Sequence, residues 1–252
     1  MLTFSPLRTD RMSGPFNLGL LLDKLAGSRL RDGDVVVVSS KFVAVAEGRV
    51  VSLASVVPSP YSLVLAKRWN MPAELCELVT RESDEIIGGV AGFILSLKEG
   101  LLTPNAGIDK SNVEHGKVVL YPRDPVGSAV ALADALRFRR GVRVGVVIAD
   151  SRLMPTRRGT VGVALAATGI KAVVDLRGKP DLFGNVLRVT SQAIADDLCS
   201  GAQIVMGEAD EATPIVLVRG LEMESSEVDP MSSFAVDPSQ CVYMRSLGYR
   251  AT

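Results

Sequence analysis

Cysteine is scarce in this chain. Cys76, Cys199 and Cys241 form an odd, widely spaced set without a CxxC pair, which excludes a disulfide framework and a zinc knuckle and fits a reducing cytoplasm. Histidine is scarcer still: His115 is the sole one, and beside Gly116 it has no evident nucleophile or orienting partner, so it is assigned no catalytic role. Neither sign of charge is in excess, with 28 basic residues against 28 acidic ones. No basic cluster interleaves with aromatics, and a nucleic-acid partner is not expected. Apolar runs are too short to span a bilayer. The first residues meet Asp10 and Arg11 before any continuous apolar centre of the kind a secretory signal needs. The chain is therefore read as soluble and cytoplasmic, without a membrane partner. Neither a GxxxxGK[ST] loop nor a GxGxxG turn after a strand is present, so any nucleotide must be held on another scaffold.

What remains is an ordinary globular composition in which 252 residues can bury one core or two intimately joined subdomains. Leucines at 18, 20, 21, 22, 25 and 30 give a helix over 17–30. Asp32-Gly33-Asp34 turns the chain into Val35-Val36-Val37-Val38, a β-branched run typical of a strand buried on both faces. A turn at Glu47-Gly48-Arg49 precedes a strand at Val50-Val51, and helices are expected over 61–69 and 72–81. Glu99-Gly100 reads as a hairpin turn feeding Leu101-Leu102-Thr103. Helical spacing returns over 128–139, a buried strand over 142–149, a helix over 190–205 and a buried strand over 215–218. Gly162, Gly169, Gly178 and Gly184 suggest tight turns around short apolar segments. The main domain spans 1–221, and 222–252 is a tail with no interpretable pattern.

Candidate chemistry gathers at a few places. The nonamer 105–113, with Asp109, Ser111 and Asn112 around the permissive Gly107, brings carboxylate, amide and hydroxyl groups into one short stretch. An equal competitor is a loop whose Asp109 and Asn112 only make Asx turns. Asp150-Ser151 closes the 142–149 strand, where a carboxylate is well placed to bind a cation outside a sheet. Ser39-Ser40-Lys41, at the end of the valine run, offers hydroxyls and an ammonium to a phosphate, against the blander reading of a polar strand exit. Arg157-Arg158 offers cations to phosphate or substrate, or is simply solvated. Met206-Gly207-Glu208-Ala209-Asp210-Glu211-Ala212-Thr213 is an acidic loop suited to a second metal or a nucleotide, or a solvated connection.

The order of these pieces resembles the coenzyme F420-0:L-glutamate ligase family, the γ-glutamyl ligases, from about residue 32 to 221. The matching segments include Asp32-Gly33-Asp34, Ala46-Glu47-Gly48-Arg49, the 105–113 loop, Val146-Val147-Ile148-Ala149-Asp150, Arg157-Arg158-Gly159, Asp181-Leu182-Phe183-Gly184, Met206-Gly207-Glu208 and Val218-Arg219-Gly220-Leu221. The resemblance implies a mixed α/β fold with buried strands and flanking helices, forming an intertwined homodimer. It implies GTP-dependent joining of L-glutamate to a deazaflavin coenzyme precursor through an acyl phosphate. It also implies two divalent ions, Mg or Mn, and a monovalent cation such as K. Carried over by position, Asp109 and Asp150 match ligands of one metal, Ser151 stands where a Thr ligand is usual, and Glu208 matches the second-metal carboxylate. Ser40, Asn112, Met206, Gly207, Asp210, Glu211 and Thr213 fall on nucleotide-contacting positions, with Lys41 added for its charge.

Departures fall among the cations. The family commonly has Gly-Arg-Pro-aromatic-Arg where this chain has Leu153-Met154-Pro155-Thr156-Arg157. It commonly has Lys where Val45 stands and Arg where Asn185 stands. The metal framework is thus better preserved than the anion clamps. A ligase for the F420 precursor or a related carboxylate is expected, in competition with a non-catalytic metal- and nucleotide-binding paralogue acting as a sensor or assembly subunit.

Overall fold

The computed structural model of the protein describes residues 1–221 and 234–250. The part of the tail at 222–233 and 251–252 lies outside the described residues. The fold is mixed α/β, with seven α-helices among the described residues. In chain order the elements are β1 (Thr3–Leu7), α1 (Leu18–Ala26), β2 (Val35–Ser39), α2 (Ser40–Ala46), β3 (Val50–Ser52), α3 (Pro60–Trp69), α4 (Ala73–Glu82), β4 (Glu85–Val90), β5 (Phe93–Lys98), β6 (Leu101–Pro104) and β7 (Lys117–Val119). They continue with α5 (Pro125–Arg140), β8 (Gly145–Leu153), β9 (Thr160–Thr168), β10 (Val174–Asp175), β11 (Ser191–Gln192), α6 (Ile194–Met206), β12 (Ile215–Arg219) and α7 (Val242–Ser246). The chain divides into two compact units: 1–11, 17–43 and 124–234 form the first, and 12–16, 44–123 and 235–252 the second.

The first unit is built on a five-stranded sheet in the order β1-β12-β2-β8-β9, in which only β2 and β8 run parallel. Val35, Val37, Val147, Val216 and Val218 line one face under Ala195, Leu198, Cys199 and Ala202 of α6. Helix α5 packs on β8, β9 and α1 and contributes nothing to that cluster. Val36, Val38, Val146 and Ile148 are nevertheless just as buried, so the sheet is covered on both faces, which is why its central strands carry valine without alternation. Asn17 starts α1 by accepting a hydrogen bond from Leu20 N at 2.9 Å. The helix ends earlier than the leucine spacing predicts, at Ala26 ahead of Gly27.

Three segments depart from the sequence reading. Ser40 and Lys41 do not leave β2 as a loop but begin α2 directly. The strand predicted to end before Asp150 runs on to Leu153, pairing Asp150 with Val163 and Ser151 with Gly162 on β9. Gly162 is no turn: it lies within β9, where a Cβ would overlap the Cys199 carbonyl of α6, so its lack of a side chain lets strand and helix close.

In the second unit α3 and α4 pack with the β4-β5-β6 sheet and the β3-β7 pair around Leu75, Cys76, Val79, Ile94, Ala106 and Val118. The Glu99-Gly100 hairpin is as predicted, with both residues at positive φ, 52° and 76°, the pattern of a type I′ turn. Of the tail, α7 and its neighbours belong here, and Tyr249 donates its hydroxyl to Glu85 at 3.0 Å. Glu77 of α4 joins two helices: it accepts from Ser59 N at 2.9 Å, the N-cap residue of α3, and from Arg81 Nε at 2.8 Å. The Ser59 hydrogen bonds, with Arg81 behind them, hold its carboxyl down to about 2. A depressed folded-state value gives stability that is present above the unfolded-state range and is lost as pH falls through the folded value. Acid unfolding followed by the fluorescence of Trp69, the only tryptophan, should therefore show a Glu77→Gln variant with a flatter stability profile between about pH 4.5 and 2. An identical slope in both proteins would remove Glu77 from this role.

Candidate functional site

The first unit assembles part of the expected site around the end of the β2/β8 pairing. Ser39 of β2 pairs with Ala149 of β8, so Ser40, the first residue of α2, and Asp150, the next residue of β8, follow that pair and meet. The Ser40 hydroxyl, 5% exposed, donates to Asp150 Oδ1 at 2.8 Å. The other oxygen, Oδ2, accepts from Arg152 Nε at 2.8 Å. Arg152 is only 6% exposed, although Ser151 and Leu153 on either side are exposed. Sequence reading passed over it. Its spacing of two from Asp150 was the available signal, because alternate residues of a strand share a face.

Burial raises the carboxyl of nearby Asp196, opposed by the hydrogen bond it accepts from Ala164 N at 2.8 Å and by the positive charge of Arg152. Burial, together with the charges of Asp196 and Asp150, pushes the Cys199 thiol well up, and burial also raises Cys76. Neither thiol is activated.

Glu208 belongs to a separate polar group. Its Oε1 accepts from Thr160 Oγ at 3.2 Å and from Gln203 Nε2. Thr160 pairs with Leu153, three residues along β8 from Asp150, a step of roughly 10 Å along a strand. The 206–213 loop is held by its own side chains. Thr213 Oγ lies 2.7 Å from the Met206 carbonyl, and Glu211 folds over Gly207 to accept from Ala209 N at 2.9 Å. Glu208, Asp210 and Glu211 are exposed. Arg157 and Arg158 are exposed at the tip of the β8-β9 hairpin, with Met154 42% exposed at its start.

Asp109 and Asn112 belong to the second unit. Residues 105–107 form one tight turn with consecutive left-handed φ values of 50°, 52° and 73°, and Asn105 Oδ1 secures it by accepting from Ile94 N at 2.9 Å. At Gly107 a Cβ would stand 2.6 Å from the Tyr121 ring. Strain of this kind persists only where the surroundings impose it. Asp109 bridges to Val119 through its backbone, and its carboxylate accepts from Ser111 N at 2.7 Å, so the Asx turn weighed from sequence is present. Val45, where a family Lys was missed, is 7% exposed and packs with Val119, Met12 and Phe16. Asn185 donates through Nδ2 to Asp181 at 3.1 Å.

Among the described residues no three His, Cys, Asp or Glu side chains converge on one point able to hold a metal. No described helix is long and apolar enough to cross a membrane. Comparison with known proteins matches the family model described as F420-0:Gamma-glutamyl ligase over residues 18–220. A coenzyme F420:L-glutamate ligase of Methanopyrus kandleri is 41% identical over 198 residues, covering 78% of this chain and 79% of that protein. Those of Methanothermobacter thermautotrophicus and Archaeoglobus fulgidus are each 41% identical, the first covering 77% of both chains and the second 80% of this chain and 82% of its own. With nearly the whole sheet and both polar groups inside the matched span, the chain belongs to the F420-0:gamma-glutamyl ligase family of enzymes.

Proposed function

We propose that this chain is a GTP-dependent ligase that forms an amide between L-glutamate and coenzyme F420-0 or a closely related carboxylate. The observation that carries the reading is the family match over 18–220, every cited relative within it being a coenzyme F420:L-glutamate ligase. No observation favours a non-catalytic sensor. In the proposed reaction an oxygen of the acceptor carboxylate attacks the γ-phosphorus of GTP, and GDP leaves. The glutamate amine then attacks the carbonyl carbon of the acyl phosphate, inorganic phosphate departs with the electrons of the C–O bond, and the amine gives up a proton. Such chemistry depends on positioning and on offsetting anionic charge.

The donor set fits hard divalent ions. In the first unit Asp150, Ser151 and Glu208 offer oxygen donors only, the preference of Mg and Mn; Asp109, taken by itself in the second unit, offers a donor of the same kind. Such ions would offset the triphosphate charge when bound. For the protein itself, Ser40 fixes the Asp150 carboxylate through its hydroxyl. The 206–213 loop, with Gly207, Asp210, Glu211 and Thr213, is the proposed nucleotide contact of the first unit together with Lys41; Arg157 and Arg158 are proposed for acidic groups of substrate, and Asn112 of the second unit is proposed separately as a nucleotide contact. A homodimer is part of the same proposal by family membership.

Glutamate-dependent GTP turnover tests this reading: phosphate release should require L-glutamate and the acceptor together. GTP binding without turnover across F420-0 and related carboxylates would favour the non-catalytic alternative. The exposed Met154 supplies a graded check. Met154→Arg is expected to tighten an anionic ligand by about tenfold, the equivalent of one charge-assisted hydrogen bond, measured by calorimetry with GTP and with the acceptor. No change for either ligand would place residue 154 outside the site.

A further inference from the structure

The reaction above uses Asp150 and leaves Arg152 without a part. An arginine nine-tenths buried is unusual unless it is paired, and this one is paired with the carboxylate assigned to a metal. Its Nε holds Asp150 Oδ2 at 2.8 Å while the Ser40 hydroxyl holds Oδ1 at the same distance. Each carboxylate oxygen therefore already accepts a donor. Around the pair, burial disfavours negative charge at Asp196 and at Cys199. A cation that binds this carboxylate must therefore compete with the guanidinium for Oδ2.

We propose that Arg152 is a resident counter-cation for Asp150, which a divalent ion must displace, so that Arg152 sets the metal affinity of this carboxylate. The inference rests on Asp150 being a metal ligand, as proposed above. It makes metal entry an exchange of one cation for another, in which Asp196 remains a carboxylate neighbour for the released guanidinium. It also makes Arg152 a positioning residue: without metal, the guanidinium and the Ser40 hydroxyl hold the carboxylate in place.

The test is titration of Mn²⁺ alone, with no nucleotide, into the full chain, read as free Mn²⁺ by electron paramagnetic resonance. Arg152→Met, of similar length and uncharged, is expected to bind Mn²⁺ about tenfold or more tightly than the parent, because one charge-assisted hydrogen bond no longer competes. Asp150→Asn added to Arg152→Met is expected to abolish the gain. A folded Arg152→Met protein with equal or weaker affinity, where Asp150→Asn still weakens binding, overturns the role of Arg152 and leaves the metal assignment standing. Affinity indifferent to Asp150→Asn in both backgrounds overturns the metal assignment itself. If Arg152→Met does not fold, the parent protein supplies the readout. Its Arg152 Nε–H resonance, identified by its loss in Arg152→Lys, is expected to exchange slowly with solvent without metal and rapidly at saturating Mg²⁺. Slow exchange in both conditions overturns the proposal.

Discussion

Replacing Asp150 with Asn is expected to lower glutamate-dependent turnover by roughly 10²–10³-fold, the usual cost of removing one group that offsets charge in a transition state. Loss of metal-dependent GTP affinity should accompany it. The same substitution has a structural cost that sequence reading did not foresee. Arg152, 6% exposed, would face a neutral amide in place of its ion-pair partner, which should reduce stability by about 1.5–3 kcal/mol. Stability and turnover must therefore be measured on the same preparation. A folded Asp150→Asn protein with unchanged turnover would remove Asp150 from the reaction.

Gly162→Val is expected to have the largest effect on folding. A Cβ at this position would overlap the Cys199 carbonyl and stand 2.8 Å from Ser200 N, and backbone atoms of a packed helix do not yield as a flexible side chain does. The Ser200 hydroxyl also donates to the Gly162 carbonyl at 2.9 Å, so β9 and α6 cannot separate without losing that bond. A cost of about 3 kcal/mol would lower thermal unfolding, followed by circular dichroism, by roughly 6–12 °C for a domain of this size. Because α6 leads into the 206–213 loop and carries Gln203, the hydrogen-bond partner of Glu208, GTP affinity should weaken as well. Wild-type melting would show that the sheet and helix have room here.

The parts of this fold that could be read from residues are those where one pattern dominates. The run Val35-Val36-Val37-Val38 is a strand because β-branched side chains suit a sheet covered on both faces. Helices α3 and α4 follow their apolar spacing, and Glu99-Gly100 behaves as a hairpin turn. Misreadings occur where polar residues interrupt a regular element. Asp150-Ser151 looked like the end of a strand because its polar side chains broke the apolar run, yet hydrogen bonding to β9 carries the strand to Leu153. Ser40-Lys41 looked like an exit because α2 follows β2 with no intervening residue. Strand β9, Thr160–Thr168, was hidden by alanine and glycine, which pack between a sheet and α6 but carry little β signal.

The candidate site was legible to a different extent. Ser40 and Asp150, 110 residues apart in sequence, are in hydrogen-bond contact, a pairing that only the parallel register of β2 and β8 creates. Arg152 was invisible because an arginine after a strand is ordinarily solvated. Glu211 and Thr213 were singled out for ligand contact, and they are also what shapes their own loop. Val45, counted as a missing cation, packs in an apolar cluster with Val119, Met12 and Phe16.

The most direct test of the central claim is mass spectrometry of the products formed from coenzyme F420-0, L-glutamate, GTP and Mg or Mn by the purified protein, with Asp150→Asn alongside. The account predicts a metal- and GTP-dependent gain of one or more glutamyl units that is absent from the variant. An unmodified acceptor in the presence of measurable GTP binding, or a gain that the Asp150→Asn protein matches, would contradict it.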